Sequence, residues 1–433
     1  MSRQSEPLCV VRDLEKHYPI TRGWLRREVG RVRAVDGVSF ALERGETLGL
    51  VGESGSGKTT VAHTLLGLET PTGGTVEFDG DRVSELSGDA ERSFRRRTQL
   101  VVQDPDDALD PRMRVGESVA EPLRIHGINR VRREAIVADV LERVGLDADD
   151  ADRYPHEFSG GEKQRISIAR ALVTNPDLIV ADEPTSALDA RVRSDILDLL
   201  DRIRREFDVA ILFVSHDLGV VERFCDRVAV MYLGELVERG RARDVLSDPD
   251  HPYTRVLRSS IPSLDPTDRR LGRPLTDTVP EPSDPPSGCR FHPRCPAVIP
   301  AVDLDLSHET WREVAAFRFA VRADELPPEA VGDGPGTTDA DAVAPTEVRR
   351  AVGLDGELAD PDAERAVAEA AASLAAGDDE AAAATLDEAF PTRCERESPT
   401  AVDRETGGTV ACLRHDPTTE APPVADGGTD RER

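Results

Sequence analysis

One segment constrains this chain more than any other: GESGSGKT, from Gly52 to Thr59. It fits the pattern G-x-x-x-x-G-K-S/T, in which glycine lets backbone amides approach the oxygens of a triphosphate closely. The apolar, β-prone run 47–51 precedes the segment, and a helical pattern over 60–68 follows it. A helix that begins there directs its partial positive charge toward the same anion. The segment therefore predicts a nucleoside triphosphate site between a strand and a helix.

The residue types of this segment predict individual roles. Lys58 is expected to bridge the β- and γ-phosphates, and the hydroxyl of Thr59 is expected to hold Mg²⁺. The remaining nucleotide contacts are assigned to Gly52, Ser54, Gly55, Gly57 and Thr60. A plain Gly/Ser turn before a helix is the alternative, and the flanking strand and helix disfavour it.

The chain has 433 residues, a length that suits two or three domains. Charge is distributed unevenly along it. The net charge is −28, and residues 301–433 supply −19 of it, with 31 acidic residues against 12 arginines. Because nucleic-acid-binding proteins carry a basic stripe, no nucleic-acid partner is expected. Only three lysines occur, which favours a halophile, although a GC-rich genome would have the same effect.

Neither a membrane span nor a secretory signal is expected. No run of about eighteen apolar residues occurs, and the N-terminus lacks a basic segment followed by an apolar stretch.

Apolar runs predict an α/β core. Runs typical of buried parallel strands occupy 178–181, 211–214 and 228–232, and a helical pattern occupies 166–173. Strands are also predicted over 8–11 and 35–42. The basic segment 22–33 between them is interpreted as a solvated loop.

The C-terminal part differs in composition from the rest. Prolines become dense after residue 246. Residues 313–390 are acidic and rich in alanine, and the stretch 363–390 at their end predicts one or two helices, as a hairpin broken at Gly377. The tail from Asp416 is expected to be disordered.

Five further motifs follow the segment Gly52–Thr59, here called the phosphate loop, in a fixed order. They are Gln103 after a strand-like run, FSGGEKQR at 158–165, LIVADEP at 178–184, SALD at 186–189, and His216 after a strand. As an ordered set over residues 8–245, the motifs resemble the ATP-binding subunits of ABC transporters. The resemblance implies an ATPase that uses ATP and Mg²⁺. It implies an α/β P-loop NTPase core with a parallel sheet, an antiparallel β subdomain and a helical subdomain, followed by a C-terminal extension.

Two adjacent carboxylates have expected roles in this site. The apolar run that ends in Asp182 puts a carboxylate at the carboxyl end of a buried strand, where it can bind Mg²⁺. Glu183 is expected to be the general base that polarises the attacking water. A surface acid pair at a strand end is the alternative.

The turn formed by Ser159, Gly160 and Gly161, here called the signature turn, is expected to act on a neighbouring subunit. The resemblance implies that Ser159, Gly160 and Gly161 contact the γ-phosphate bound to the opposite subunit. Two residues depart from the family pattern: Phe158 stands where Leu is usual, and Glu162 stands where Gln is usual. Glu162 is expected to turn outward, away from the phosphate.

The resemblance also implies roles for four separate residues. Gln103 would link Mg²⁺ and water to the interface with the membrane subunit, and Asp189 would communicate between the two sites. His216 would contact the γ-phosphate, and Tyr18 would stack on adenine. A structural histidine and a simple surface aromatic are the alternatives for the last two.

Three segments indicate a branch of the family. AVDGVSF at 34–40, HPYTRVL at 251–257 and GCRFHPRCP at 288–296 resemble the ATPases of oligopeptide and dipeptide importers. The branch implies uptake of oligopeptides, dipeptides or a related solute such as nickel. The implied partners are a second ATPase subunit, identical or homologous, two transmembrane permeases and, indirectly, an extracytoplasmic solute-binding protein. The implied location is the cytoplasmic face of the cell membrane, peripheral through the permeases.

Four cysteines occur as two separated pairs: Cys289 and Cys295, then Cys394 and Cys412. The segment 299–391 between the pairs is interpreted as an insertion. The resemblance implies that the four positions lie close together in the sequences of related chains, some of which are reported with an iron–sulfur cluster. A 4Fe–4S cluster, zinc and no metal are the open alternatives. A disulfide is not expected in a reducing compartment.

The predicted organisation has four parts. They are an ABC ATPase domain over 1–245 with a helical subdomain at about 104–164, a cysteine-bearing extension over 246–298 and 392–415, an acidic insertion over 299–391, and a disordered tail over 416–433. Parts of the sequence also suit two other functions. An ABC-type ATPase acting on nucleic acid or ribosomes is disfavoured by the single phosphate loop and the acidic charge. A redox-sensing module rests on the four cysteines alone.

Overall fold

The computed structural model describes residues 6–24, 27–186, 188–259, 274–330 and 343–417. The chain divides into two compact units. The first is Met1–Asp248 with Thr406–Gly408, and the second is Pro249–Glu405 with Thr409–Arg433. Nearly all of the tail that was predicted to be disordered lies outside the described residues.

Six strands of the first unit lie side by side in one sheet. In spatial order they are β10 (Glu235–Arg241), β9 (Arg227–Tyr232), β3 (Thr47–Val51), β8 (Ala210–Ser215), β7 (Leu178–Asp182) and β6 (Thr98–Val101). The strands from β9 to β6 run parallel, and β10 is antiparallel to β9. Every residue of β3 and β8 is buried, as expected for parallel strands covered on both faces. The strands predicted from continuous apolar runs are therefore confirmed.

A second, antiparallel sheet contains the N-terminal strands. Its order is β2 (Arg27–Leu42), β1 (Cys9–Arg22), β4 (Gly73–Phe78) and β5 (Asp81–Arg82). The predicted loop over 22–33 is wrong, because β1 and β2 continue pairing until Arg22 lies opposite Arg27. Several register shifts interrupt the pairing, so the side-chain alternation that marks a strand is broken in the sequence.

Nine α-helices of the first unit are described. They are α1 (Lys58–Leu65), α2 (Gly88–Arg97), α3 (Pro105–Ala108), α4 (Val115–Ile125), α5 (Arg130–Arg143), α6 (Gly160–Leu172), α7 (Ala190–Phe207), α8 (Leu218–Phe224) and α9 (Ala242–Ser247). One hydrophobic cluster joins both sheets with α1, and it includes Leu14, Phe40, Leu50, Val61 and Leu212. This shared core fixes the start of α1 relative to the ends of β3 and β7.

The second unit is mainly helical. Its elements are α10 (Pro252–Ser259), α11 (His308–Ala323), α12 (Pro345–Ala351), α13 (Pro361–Ala375), α14 (Asp379–Ala389), α15 (Arg393–Arg396), β11 (Val402–Asp403) and β12 (Thr409–Val410). Gly377 lies between α13 and α14 with φ +75°, a left-handed conformation that ends a helix readily. The predicted helical hairpin at this glycine is confirmed.

The acidic segment 299–391 returns to the place where it starts. Pro300 and Thr392 form a β-bridge. The amide of Arg393 donates to the carbonyl oxygen of Ile299 at 2.9 Å. The residues that precede and follow the segment are therefore neighbours in space.

Candidate active site

The phosphate loop leaves β3 and enters α1 through a tightly packed glycine. Gly57 is the N-cap of α1 with φ +105°. A Cβ atom there would lie 2.0 Å from the carbonyl oxygen of Ala34, so a larger residue would displace the loop. Gly55 also has a left-handed φ, of +78°. The close approach of the loop to β2 therefore requires Gly57, and the left-handed backbone favours Gly55.

Lys58 lies inside the loop. Its Nζ donates to the carbonyl oxygens of Gly52 at 2.9 Å and Glu53 at 2.8 Å, and only 6% of the residue is exposed. Burial lowers the pKa of Lys58, and the carboxylates of Glu183 and Asp182 oppose this shift. The two carboxylates that the sequence singled out therefore stabilise the charged form of Lys58.

Asp182 is the last residue of β7, at the carboxyl edge of the sheet. Burial raises the pKa of Asp182, whereas a hydrogen bond with the Thr59 side chain lowers it. The adjacent Glu183 also raises this pKa through like-charge repulsion. Hydroxyl and carboxylate oxygens are the ligands that Mg²⁺ prefers, and a divalent cation would relieve the repulsion. Thr59 and Asp182 therefore fit a magnesium ion.

The Glu183 carboxylate is held from both sides. Its Oε2 accepts a hydrogen bond from Nε2 of Gln103 at 3.2 Å, and its Oε1 lies 3.1 Å from Nδ1 of His216. The backbone of Glu183 has φ +46°, and its amide donates to the carbonyl oxygen of Val214 at 3.0 Å. Such a conformation is uncommon for a residue with a side chain and concentrates at functional sites. The structure thus brings together Gln103, Glu183 and His216.

Tyr18 is hydrogen-bonded to a residue just beyond the end of α1. Its hydroxyl donates to the carboxylate of Glu69, and burial and this bond raise its pKa. The Nζ of Lys16 lies 5.0 Å from the centre of the Tyr18 ring and 3.3 Å from the Glu69 carboxylate. Sequence reasoning missed Lys16 and Glu69, because nothing in their local pattern connects residues so far apart.

The signature turn begins α6. Ser159 is its N-cap, and Glu162 completes a capping box. The Glu162 carboxylate accepts hydrogen bonds from the Ser159 amide and from the Ser159 hydroxyl, both at 2.8 Å. These bonds lower the pKa of Glu162. The expected outward orientation of Glu162 is therefore wrong, because an N-terminal helical carboxylate gains two donors by folding back.

The signature turn and the loop of Asp189 are packed against each other. Asp189 is the N-cap of α7 and accepts from the amides of Arg191 and Val192, both at 3.0 Å. A Cβ atom at Gly161 would lie 2.5 Å from Cγ1 of Val192. Gly161 is therefore required by the close contact between α6 and the first turn of α7, a reason that the sequence did not reveal.

Three family models match parts of the chain. Residues 35–186 match the ABC transporter model, and residues 237–301 match the C-terminal region of oligopeptide/dipeptide transporters. Residues 308–407 match a domain of unknown function (DUF8228).

Curated relatives cover most of the chain. The probable peptide ABC transporter ATP-binding protein y4tS of Sinorhizobium fredii is 47% identical over 68% of this chain and 84% of the relative. The chain belongs to the ABC transporter family. The oligopeptide transport ATP-binding protein AppF of Bacillus subtilis is 46% identical over 68% of this chain and 91% of its own length. The dipeptide transport ATP-binding protein DppF of Escherichia coli is 42% identical, over 74% and 97% respectively.

Membership of the ABC family confirms several expectations at once. The resemblance, the fold class and the function as the ATP-hydrolysing subunit of a transporter are all confirmed. ABC ATPases use ATP together with Mg²⁺, and the residues above suit both. Within the described residues, each helix is too short or too polar to cross a bilayer. The halophilic origin stays a prediction.

The ABC ATPase gathers its four C-terminal cysteines in one neighbourhood. The amide of Cys289 donates to the carbonyl oxygen of Cys394 at 2.7 Å. Burial raises the pKa of the Cys394 thiol to about 11 and that of Cys295 well above its usual range. The nearby Cys394, Cys289 and Cys412 add to this rise in the pKa of Cys295. Nevertheless, no group of three or more His, Cys, Asp or Glu side chains among the described residues is arranged to hold a metal ion.

Proposed function

We propose that this ABC ATPase powers the uptake of oligopeptides, dipeptides or a related solute through partner permeases. One observation supports the ATPase mechanism most directly. Gln103 and His216 both contact the carboxylate of Glu183, the residue that follows Asp182. The solute class is supported by the match over 237–301 and by the printed names of the relatives.

Each residue of the site has a proposed task in hydrolysis. The loop amides and Lys58 bind the β- and γ-phosphates, together with Gly52, Ser54, Gly55, Gly57 and Thr60. Thr59, Asp182 and Gln103 hold Mg²⁺, which neutralises charge on the phosphates when it is bound. Glu183 accepts the proton of the attacking water, and His216 orients the carboxylate and contacts the γ-phosphate. Tyr18 presents its ring to adenine.

A second subunit, identical or homologous, completes the proposed site. Ser159 and Gly160 are exposed at the N-terminus of α6, where backbone amides can receive an anion. We assign this turn, with Gly161, to the γ-phosphate bound by the other subunit. Asp189 would transmit the state of one site to the other, because its helix packs against Gly161 through Val192.

The helical subdomain has a proposed role in contacting the membrane partners. The ATPase domain over 1–245 uses its helical subdomain, about 104–164, as the surface that couples to two permeases, because Gln103 lies at the start of this region. The protein would then be peripheral on the cytoplasmic face of the membrane. A solute-binding protein on the other side would contribute only indirectly.

Peptide uptake by reconstituted vesicles tests the function. Vesicles carrying the permeases and the ATPase, with ATP on the ATPase side, are expected to accumulate labelled peptides that the solute-binding protein delivers. A nickel salt supplied in place of peptide is the control for the solute class. Uptake of nickel but not of peptide would contradict the peptide assignment without affecting the assignment as an ATPase. Transport in the absence of ATP would contradict the coupling of ATP hydrolysis to uptake.

Changing Glu162 to Gln is expected to strengthen the ATP-bound dimer. The carboxylate occupies the Ser159 amide and hydroxyl, which are the donors that the γ-phosphate needs in the proposed dimer. A neutral amide competes less well for them, so ATP-driven association should tighten by about fivefold. Light scattering at varied ATP concentration measures the effect.

The Glu157→Gln variant is the matched control for this experiment. Glu157 caps the preceding turn through the amide of Tyr154 at 2.6 Å and does not bond to Ser159. It should leave dimerisation unchanged. Equal strengthening in both variants would indicate a general charge effect and contradict the assignment to the Ser159 donors.

For the four cysteines we propose a 4Fe–4S cluster, with zinc and no metal as the alternatives. Two observations support this proposal. Hydrogen bonds join the two ends of the segment 299–391, and the four thiols lie in the same region. Among the described residues, no set of side chains is already arranged to hold a metal ion. The four cysteine side chains would therefore have to rotate when the cluster binds. Four thiolates are the usual ligands of such a cluster.

Metal analysis of the anaerobically purified full chain tests this cluster. Iron and acid-labile sulfide are expected in equal amounts, and Cys394→Ser should remove both. Cys225→Ser is the control, since Cys225 is buried in the first unit. Zinc without sulfide, or a protein without metal, would contradict the cluster.

A further inference from the structure

The β1–β2 pair extends beyond the antiparallel sheet as a two-stranded ribbon. Strand β4 pairs with β1 only as far as Glu15, which lies opposite Gly73. Pairing between β1 and β2 continues to Arg22 opposite Arg27. The part of the pair beyond residue 15 therefore has no third strand. A two-stranded ribbon buries little surface and has marginal stability by itself.

The end of this ribbon is basic in an acidic protein. Its described residues include Arg22, Arg27, Arg31 and Arg33, whereas the whole chain carries −28. Arg31 is paired with Glu28, with 2.5 Å between Nε and Oε1. Within the described structure, neither Arg22 nor Arg27 has a side-chain hydrogen bond or ion pair.

The same end exposes apolar side chains. Trp24 is 97% exposed, Val29 is 57% exposed and Ile20 is 36% exposed. Trp311, the other tryptophan, is only 5% exposed and donates its Nε1–H to the carbonyl oxygen of Val298 at 2.9 Å. A fully exposed tryptophan beside unpaired cations is the composition of a surface that contacts an anionic and partly apolar partner.

The ribbon end also contains an unfavourable pair. Arg22 and Arg27 lie directly opposite each other on adjacent strands, and like charges in that position destabilise an antiparallel pair. A bound anion would remove this repulsion, since a guanidinium binds phosphate oxygens through two parallel hydrogen bonds.

We propose that the end of the β1–β2 ribbon docks directly on the headgroup region of an anionic lipid bilayer. Arg22 and Arg27 would bind lipid phosphates while Trp24 enters the interface, where indole rings are enriched. A bilayer accommodates one projecting ring without a shaped pocket, whereas an acidic protein would need a complementary cavity. The acidity of the rest of the chain does not prevent contact, because charges beyond about 10 Å are largely screened at ~0.1 M salt.

Vesicle binding by the purified full chain tests the proposal. Phosphatidylcholine vesicles with added phosphatidylglycerol should sediment the protein, and vesicles of phosphatidylcholine alone should not. High salt should reverse the binding. The R22E/R27E variant should lose binding by roughly tenfold or more, since each basic residue near an anionic surface contributes substantially. Trp24→Ala should weaken binding, and Trp24→Phe should keep binding but lose the blue shift of tryptophan emission.

The R92E/R95E variant is the matched control, because it makes the same charge change on α2. It should bind vesicles like the unchanged protein. ATP hydrolysis measured without lipid should be equal in both double variants, which shows that they are folded. Three results would overturn the proposal: equal binding to both vesicle types, equal loss in both double variants, or sedimentation only when permeases are present, which would indicate a protein partner.

Discussion

Changing Glu183 to Gln is expected to reduce ATP turnover by about 10²–10³-fold, because the amide cannot accept the proton of the attacking water. ATP binding should be retained, since the phosphate loop and Lys58 are untouched. The variant should therefore accumulate as an ATP-bound dimer. Phosphate release measures turnover, and size-exclusion chromatography with light scattering measures the dimer.

The neighbours of Glu183 make this experiment discriminating. Glutamine is similar in shape to glutamate and can still bond to Gln103 and His216, so a loss of turnover would be chemical and not structural. His216→Ala is the companion variant. If the Glu183 variant keeps full turnover and the His216 variant does not, the proton acceptor is His216 and the proposed assignment is wrong.

Changing Arg318 to Met is expected to destabilise the second unit by about 3–5 kcal/mol, because it leaves carboxylates without their buried partner. Arg318 is 6% exposed. Its Nε and Nη2 are each 2.8 Å from a carboxylate oxygen, of Asp387 and Glu395 respectively. Its Nη1 donates to the carbonyl oxygen of Phe390 at 2.9 Å. One guanidinium thus joins α11 to α14 and α15.

Trp311 provides the measurement for this variant. It is buried on α11, so its emission in a Trp24→Phe background reports unfolding of the second unit alone. The matched control is Arg322→Met. Arg322 also pairs with Asp387, but its side chain is 60% exposed, and the expected loss is below about 1 kcal/mol. Equal destabilisation by the two variants would contradict the special role of burial.

The sequence was sufficient for the centre of the site because each contact there demands a particular residue type. A phosphate requires glycine amides and a lysine, and a magnesium ion requires hard oxygen ligands at the end of a buried strand. Lys58, Asp182 and Glu183 can therefore be singled out from the sequence alone. Their catalytic roles stay proposals.

Other features could not be read from local sequence, because they depend on contacts between distant residues. The motif alone predicts an outward orientation of Glu162, whereas two hydrogen bonds with Ser159 decide its orientation. Tyr18 meets Glu69 only because β1 lies beside the end of α1. The sequence of segment 22–33 predicts a loop, since bulges hide the alternation of a strand.

By itself, the sequence determined the family, the α/β class and the residue types around the phosphates, because these depend on short patterns that tolerate few substitutions. Only the tertiary structure decided which side chains hold the Glu183 carboxylate and how the ends of the segment 299–391 meet. It also showed that β1 and β2 extend into a basic ribbon. These features depend on which distant residues pack together, and short sequence patterns do not contain that information.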